Sequence, residues 1–541
     1  MGRQKARRPH RGSVLRAVAR QDRGRQPCCN DSSTGLVSLT TGPLTSRPGL
    51  TSIGTLPHGG PINVLLVEPD YRSKFPPLGL MRLATYHRGR GDRVTFVRGQ
   101  HKWAGRRRWD RVYIASLFTW ELPRTADTVD FYLASVRDPK DIYVGGVGVT
   151  LLPEYIRQRS SCTVVEGPLD APGRLGPGTP AIADLVPDYS ILKRVDYGYY
   201  PRDAYFVRIT KGCIRSCKFC AVPLLEREFG LMSPLSTQVS EARRQHGGKQ
   251  HLVVMDNNIL GVSEFPDIVA ELRSLGFEAG AKRNGRARTV DFNQGLDARL
   301  ISGNPELAKL LASICVSPIR LAFDWIGIRA AYEQAIRVLA SEGFKEFTNY
   351  MLFNFNDTPC DLFTRFWVNA KLNEELSIRI TGFPMRFIPM DDVSRRHVAA
   401  KWKWRYLRGI QCVLLATRGL VSPNPDFIRG AFGETFEQFL EILTMPDRYI
   451  VYRSHYRNDG AADWRKKFHR LNTERRAQLL DVLETLNAAP RKRQELVSKI
   501  DRSLRSIVEH YYPGGRAAPR TPEDDTLAQQ GVSVGYDSGP G

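Results

Sequence analysis

AYFVRITKGCIRSCKFCAVP, residues 204–223, begins as an apolar strand run and passes without a break into a loop carrying Cys213, Cys217 and Cys220. The strand run is the first of a series. HLVVMDNN (251–258), TVDFNQGL (289–296), IRLAFDW (319–325), FTNYMLFNF (347–355) and SIRITGFPMRFIP (377–389) repeat the pattern of short β-branched and aromatic stretches ending in turn residues. Helical spacing falls between them in FPDIVAELRSLGF (265–277), NPELAKLLASI (304–314) and RAAYEQAIRVLASEGF (329–344). Strands joined by crossover helices predict an α/β domain over 201–392, a partial (β/α)6 barrel whose chemistry belongs at the carboxyl ends of its strands. The three cysteines follow the first strand, so they stand at that end.

Structural zinc takes four protein ligands, usually in paired C-x2-C units, and the sequence offers no second pair close by. A disulfide would leave one sulfur over. Three thiolates at the spacing C-x3-C-x2-C suit a four-iron cluster in which one iron has no protein ligand. Zinc with a remote fourth ligand stays as the alternative. The motif CIRSCKFC after a strand resembles that of the radical S-adenosylmethionine superfamily, over residues 200–390. The resemblance implies that Cys213, Cys217 and Cys220 bind a [4Fe-4S] cluster and that the open iron chelates the amino and carboxylate groups of S-adenosylmethionine. It further implies one-electron cleavage of the sulfonium and a deoxyadenosyl radical that abstracts hydrogen from a substrate.

Other positions carry over from the same resemblance. Phe219 matches an aromatic expected near the adenine. MDNN (255–258) stands where backbone carbonyls bind the methionine ammonium, with Asp256 and Asn257 adding side-chain contacts. DFNQGLDARL (291–300) supplies Asn293, Gln294, Asp297 and Arg299 where ribose and carboxylate are held; turn capping by Asn293 and an Asp297–Arg299 ion pair are the structural alternatives. NYMLFNFNDTPCDL (349–362) resembles the adenine-side strand, with Asn354 and Asn356 at positions where glycine is expected.

Ahead of this domain, INVLLVEPD (62–70), RVTFV (93–97), RVYIASLF (111–118) and DIYVGGVG (141–148) read as buried strands, with helices over PPLGLMRLATYHRGRGD (76–92) and TADTVDFYLASVRD (125–138). The alternation predicts a doubly wound parallel sheet over 61–164, with ligands beyond Pro69–Asp70, Ser116–Leu117 and Gly145–Gly146. Gly145, Gly146 and Gly148 do not fit a dinucleotide fingerprint. The domain resembles the cobalamin-binding-type domain of some radical S-adenosylmethionine enzymes, which makes cobalamin a third cofactor candidate. Histidine ligation of a corrinoid needs Asp-x-His-x-x-Gly after the first strand; EPDYRSKFPPLGL (68–80) has none, and the nearest histidine, His87, falls inside the predicted helix.

The Gly/Pro-rich stretch 165–200 reads as a linker. From 393 to 513 the pattern is amphipathic and helical, in KWKWRYLRGIQCVLLATRGL (401–420) and ETFEQFLEILTM (434–445). Trp402 and Trp404, interleaved with Lys401, Lys403 and Arg405, have two readings: stacking on bases, or anchoring this helical region to the barrel. Residues 1–60 carry ten Lys and Arg against two Asp and, like 514–541, read as a disordered tail. The net charge of +23 keeps nucleic acid open as a partner, although clusters such as GRRRWDR (105–111) also suit solvated faces.

Nine cysteines in 541 residues, most of them isolated, do not resemble a secreted disulfide framework, and no apolar run is long enough to span a bilayer, so a soluble cytoplasmic protein is expected. Two function classes follow: an enzyme that generates a radical from S-adenosylmethionine, acting on a small molecule or on tRNA or rRNA, and a non-catalytic iron–sulfur binding or regulatory protein. The first implies an electron donor such as flavodoxin or ferredoxin.

Overall fold

The computed structural model describes residues 60–451 and 460–512. The two expected tails, Gly60 apart, lie outside these residues. Five strands, β1 (Asn63–Glu68), β2 (Arg93–Arg98), β3 (Arg111–Ala115), β4 (Ile142–Gly145) and β5 (Thr163–Val165), form one parallel sheet in the order β2-β1-β3-β4-β5. Helix α1 (Leu78–Gly89) joins β1 to β2, and α2 (Leu122–Tyr132) lies between β3 and β4. The side chains of β1 alternate between two cores: Val64 and Leu66 meet Leu80 and Met81 of α1, whereas Leu65 and Val67 meet Val112, Ile114 and Val129. Burial on both faces is why the run NVLLVE is apolar almost throughout. The fifth strand, β5, is an addition to the four the sequence predicts; three residues at a sheet edge give too short a pattern to stand out from a linker.

Six further strands, all parallel to their neighbours, follow in chain order. β6 (Ala204–Val207), β7 (His251–Val254) and β8 (Thr289–Phe292) form one three-stranded sheet with β7 central. β9 (Ile319–Ala322), β10 (Glu346–Phe353) and β11 (Arg379–Arg386) form another with β10 central. Parallel bridges Val290↔Val316 and Leu296↔Leu321 connect them. Helices α3 (Leu235–His246), α4 (Phe265–Ser274), α5 (Arg329–Ser341) and α6 (Pro359–Leu376) cover the strands. α6 begins with a capping box, Thr358 accepting from the Asp361 N–H while Asp361 accepts from the Thr358 N–H.

The stretch 165–200 is ordered. Leu175, Ile182, Val186, Tyr189 and Ile191 are buried in the core that joins the α1 face of the first sheet to the six strands. Past β11 the chain is helical, led by α7 (Trp404–Leu415). Trp402 is buried, its indole N–H donating to the Asp357 carbonyl at 3.0 Å and its ring 5.4 Å from Phe353, so it anchors this region to the loop after β10. No helix among the described residues is long and apolar enough to cross a membrane.

Candidate functional site

The cysteine loop leaves the carboxyl end of β6 through Gly212, whose φ is +69° and where a Cβ would lie 2.2 Å from the Glu228 carbonyl oxygen. Only glycine fits there. Glu226 ties the loop: its Oε2 accepts from the Gly212 N–H at 2.7 Å and the Asn257 amide at 3.2 Å, and it pairs with Arg208. Behind the loop, a Cβ on Gly261 would meet Ile214 and Phe229 at 3.1 Å, so the turn after β7 seats closely against the residue next to Cys213.

The three thiols are free and partly exposed. The Arg215 N–H donates to Cys213 Sγ at 3.3 Å, the Asn258 amide to the same sulfur at 3.6 Å, and the Val222 N–H to Cys220 Sγ at 3.5 Å. Such donors stabilise sulfur bearing negative charge and are among the levers on a cluster's potential. Burial pushes the Cys217 and Cys220 thiols up, and the neighbouring thiols push in the same direction. Among the described residues no three His, Cys, Asp or Glu side chains converge as ligands of one metal ion. Three sulfurs on one loop with N–H donors behind two of them are a donor set that could hold a four-iron cluster.

The residues singled out in the sequence gather at the same strand ends, with different tasks. Phe219 meets Phe355, past β10, edge to face at 5.8 Å. Asp256 is buried and turned toward β6, where it accepts from the N–H groups of Ile209 and Thr210 and the Thr210 hydroxyl. Burial raises its carboxyl to about 6 despite those donors. It secures the strand that feeds the cysteine loop. Asn257 is committed to Glu226. Asn258, one position on, bonds Cys213 and keeps its Oδ1 buried without a partner among the described residues. Asn293 is buried, its amide reaching Met255 Sδ at 3.9 Å and its carbonyl accepting from the Tyr350 hydroxyl at 2.8 Å; Gln294 is exposed. Asp297 caps the helix Ala298–Gly303 and takes both Arg299 and, from the cysteine loop, Arg215 at 2.9 Å. The Asp297–Arg299 ion pair given as the structural alternative is present, and it holds Arg299 where its charge reaches Cys217.

Asn354 has φ +67° and is buried, donating to the Phe387 and His397 carbonyls and accepting from the Ala399 N–H at 2.9 Å. Asparagine tolerates the left-handed conformation for which glycine is the usual choice. Its amide then stitches the ends of β10 and β11 together.

Glu226, Arg215 and Asp324 escaped the sequence reading, as did the side-chain bond of Asn258, which it placed at a backbone contact. Asp324, at the end of β9, accepts from the Leu352 N–H at 3.0 Å and is raised to about 6 by burial; its charge reaches Cys217 and Cys220. Beside it Trp325 is 54% exposed. An acid followed by an aromatic at a strand's carboxyl end was the available signal.

The segments past β3 and β11 also meet. The Arg395 guanidinium, past β11, lies 5.2 Å over the ring of Trp120, past β3. His87 is in α1 as expected but buried, Nδ1 2.7 Å from Asp92 and Nε2 3.0 Å from the Tyr113 hydroxyl, and burial lowers it to about 4.

No family model matches the chain, and no curated protein matches it. Among solved structures the chain is similar to the radical S-adenosylmethionine methyltransferase TsrM from Kitasatospora setae, determined with a tryptophan substrate and an S-adenosylmethionine analogue. The identity is 14% and the TM-score 0.42, over 70% of this chain and 89% of that one. It is also similar to the cobalamin-dependent S-adenosylmethionine radical enzyme OxsB, at 12% identity and a TM-score of 0.41, over 83% of this chain and 75% of that one.

Proposed function

We propose that this chain is a radical S-adenosylmethionine enzyme. The observation that carries the reading is the loop of Cys213, Cys217 and Cys220 at the carboxyl end of the first of six parallel strands, with N–H donors on the sulfurs and polar strand ends around it. In this reading the two three-stranded sheets form one partial barrel over 201–392, the sheet domain of 61–164 closes over its carboxyl face, and 393–513 caps it. The cysteines would hold three irons of a [4Fe-4S] cluster. Such a cluster supplies the electron that cleaves S-adenosylmethionine to methionine and a deoxyadenosyl radical, which takes a hydrogen atom from substrate.

The chain's own groups position and shield. Glu226, Asp256 and Gly212 set the path of the loop. Arg215 and Arg299, held by Asp297, place positive charge beside the thiolates and near where a carboxylate would bind. The buried Oδ1 of Asn258 is an acceptor for an ammonium N–H. Phe219 and Phe355 offer an apolar wall for the adenine. The residues do not fit a histidine-ligated corrinoid: the loop after β1 holds none, and both ring nitrogens of His87 are engaged inside the core. A flavodoxin or ferredoxin in the cytoplasm would serve as reductant, and the substrate would be a small molecule.

The test is anaerobic reconstitution of the full chain with iron and sulfide, addition of dithionite and S-adenosylmethionine, and mass spectrometry for deoxyadenosine, with a corrinoid assay on the same sample. Deoxyadenosine and the brown chromophore should both vanish in Cys217→Ala. Full cluster absorbance in any single cysteine variant, or a reduced cluster that never cleaves S-adenosylmethionine, would sink the reading.

A further inference from the structure

We propose that the amino-terminal end of the β6–β7–β8 sheet, opposite the cysteine loop, carries a second site that binds the phosphate group of a small molecule. A cavity of about 360 Å³ there is lined by Tyr205, Arg243, Gly248, Lys249, Arg283 and Arg288. Tyr205 is in β6, Arg243 in α3, Lys249 just ahead of β7, and Arg288 just ahead of β8; Arg283 lies in the small hairpin before it. Because the three strands are parallel, everything that precedes them collects on one face and everything that follows them on the other. The site is therefore separate from the proposed radical chemistry and does not rest on it.

Arg288 is only 8% exposed, yet among the described residues it forms no ion pair with a carboxylate. Its guanidinium donates instead to the carbonyls of Gln250, Leu275, Gly276 and Lys249, at 2.7 to 3.3 Å, and lies 3.6 Å over the Phe277 ring. Carbonyl dipoles orient the cation without cancelling its charge. Burial lowers its affinity for the proton, and Arg243 and Arg283 add to that through repulsion. Gly248 leaves room for Arg283, whose Nη2 would lie 2.8 Å from a Cβ at that position. Among the described residues the one carboxylate that pairs with these cations is Asp203, half-exposed, 3.7 Å from Lys249 Nζ and 3.9 Å from Arg283 Nη1. Four cations thus face a single anion.

Tyr205 supplies the second, independent sign. It is fully buried, and its hydroxyl has no hydrogen-bond partner among the described residues. A buried hydroxyl left unpaired costs about 1–3 kcal/mol, so a polar group that completes it is expected. Guanidinium forks, an ammonium and a hydroxyl match a phosphate, with its double charge and several acceptor oxygens, better than a monoanionic carboxylate. The cavity falls at the small end of the roughly 300–1,000 Å³ usual for small-molecule sites, room for a diphosphate or a compact phosphorylated metabolite.

Calorimetric titration of the full chain with pyrophosphate, at constant ionic strength, tests this. Saturable binding at one site is expected, weakened about tenfold or more in Arg243→Gln and in Arg283→Gln, the loss of one charge-assisted contact. Tyr205→Phe should weaken pyrophosphate several-fold while leaving the ligand-free melting temperature unchanged or higher, which a purely structural tyrosine would not do. No saturable heat at millimolar pyrophosphate with the fold intact would overturn the proposal, and so would an affinity unchanged from the native protein in both arginine variants. A short RNA that binds in an arginine-dependent manner where pyrophosphate does not saturate would replace the small molecule with a nucleic-acid partner and overturn it as well.

Discussion

The two ends of the β6–β7–β8 sheet hold buried charges of opposite sign by the same device. At the carboxyl end Asp256 is held by the N–H groups of Ile209 and Thr210; at the amino end Arg288 is held by four carbonyls. Among the described residues neither has a counter-ion in direct contact. Arg365 shows the other way to bury a charge. It is 0% exposed, paired with Asp357 at 2.7 Å, and also donates to the carbonyls of Phe323, Asp324 and Leu352. A charge held by dipoles keeps its field and can act on whatever binds nearby, whereas a counter-ion in contact offsets much of it.

The largest effect should come from Cys217→Ala. It should abolish the chromophore and deoxyadenosine at one end of the sheet while leaving the pyrophosphate isotherm at the other unchanged; loss of both would mean that the two ends are not independent. Next in size is Arg365→Met. Urea unfolding should show a loss of about 3–5 kcal/mol, because Asp357 is left buried and unpaired. Arg288→Met leaves behind only neutral carbonyls and should cost less, about 1–3 kcal/mol. Equal losses would erase the distinction between the two modes of burial.

The six strands and the cysteine loop are legible because each is carried by consecutive residues: an apolar run, then a turn, then a spacing. The helix LSTQVSEARRQH (235–246) is not, since it offers the core only Leu235, Gln238, Val239 and Ala242 along a polar stretch. Contacts that join distant segments are equally hidden. Asp256 and Asn257 sit at the strand end where cofactor contacts are expected, but their side chains serve β6 and Glu226, and which way a side chain turns depends on partners brought in by the fold. Likewise Arg215 finds Asp297 only because β6 and β8 share a sheet. The amino-end cations were least visible of all. Arg243, Lys249, Arg283 and Arg288 come from separate segments, each reading as an ordinary solvated charge until the parallel strands gather them.

The smallest effect is also the most discriminating. Burial raises Asp256 to about 6 from a reference of 3.8, so the folded protein holds that proton more tightly than the unfolded chain. The sign follows from linkage: the group's contribution is fully present below 3.8 and is lost as pH rises through about 6, a total on the order of 3 kcal/mol. The amide of an Asp256→Asn variant has nothing to titrate, and the pH dependence of every other group cancels when the two proteins are compared. The stability of the native protein relative to this variant, from urea unfolding, should therefore increase by about 1 kcal/mol as pH falls from about 7 to about 5. A difference that stays flat would mean that the N–H groups of Ile209 and Thr210 stabilise the carboxylate enough to keep it ionised, and Asp256 would then present a standing negative charge to the cysteine loop.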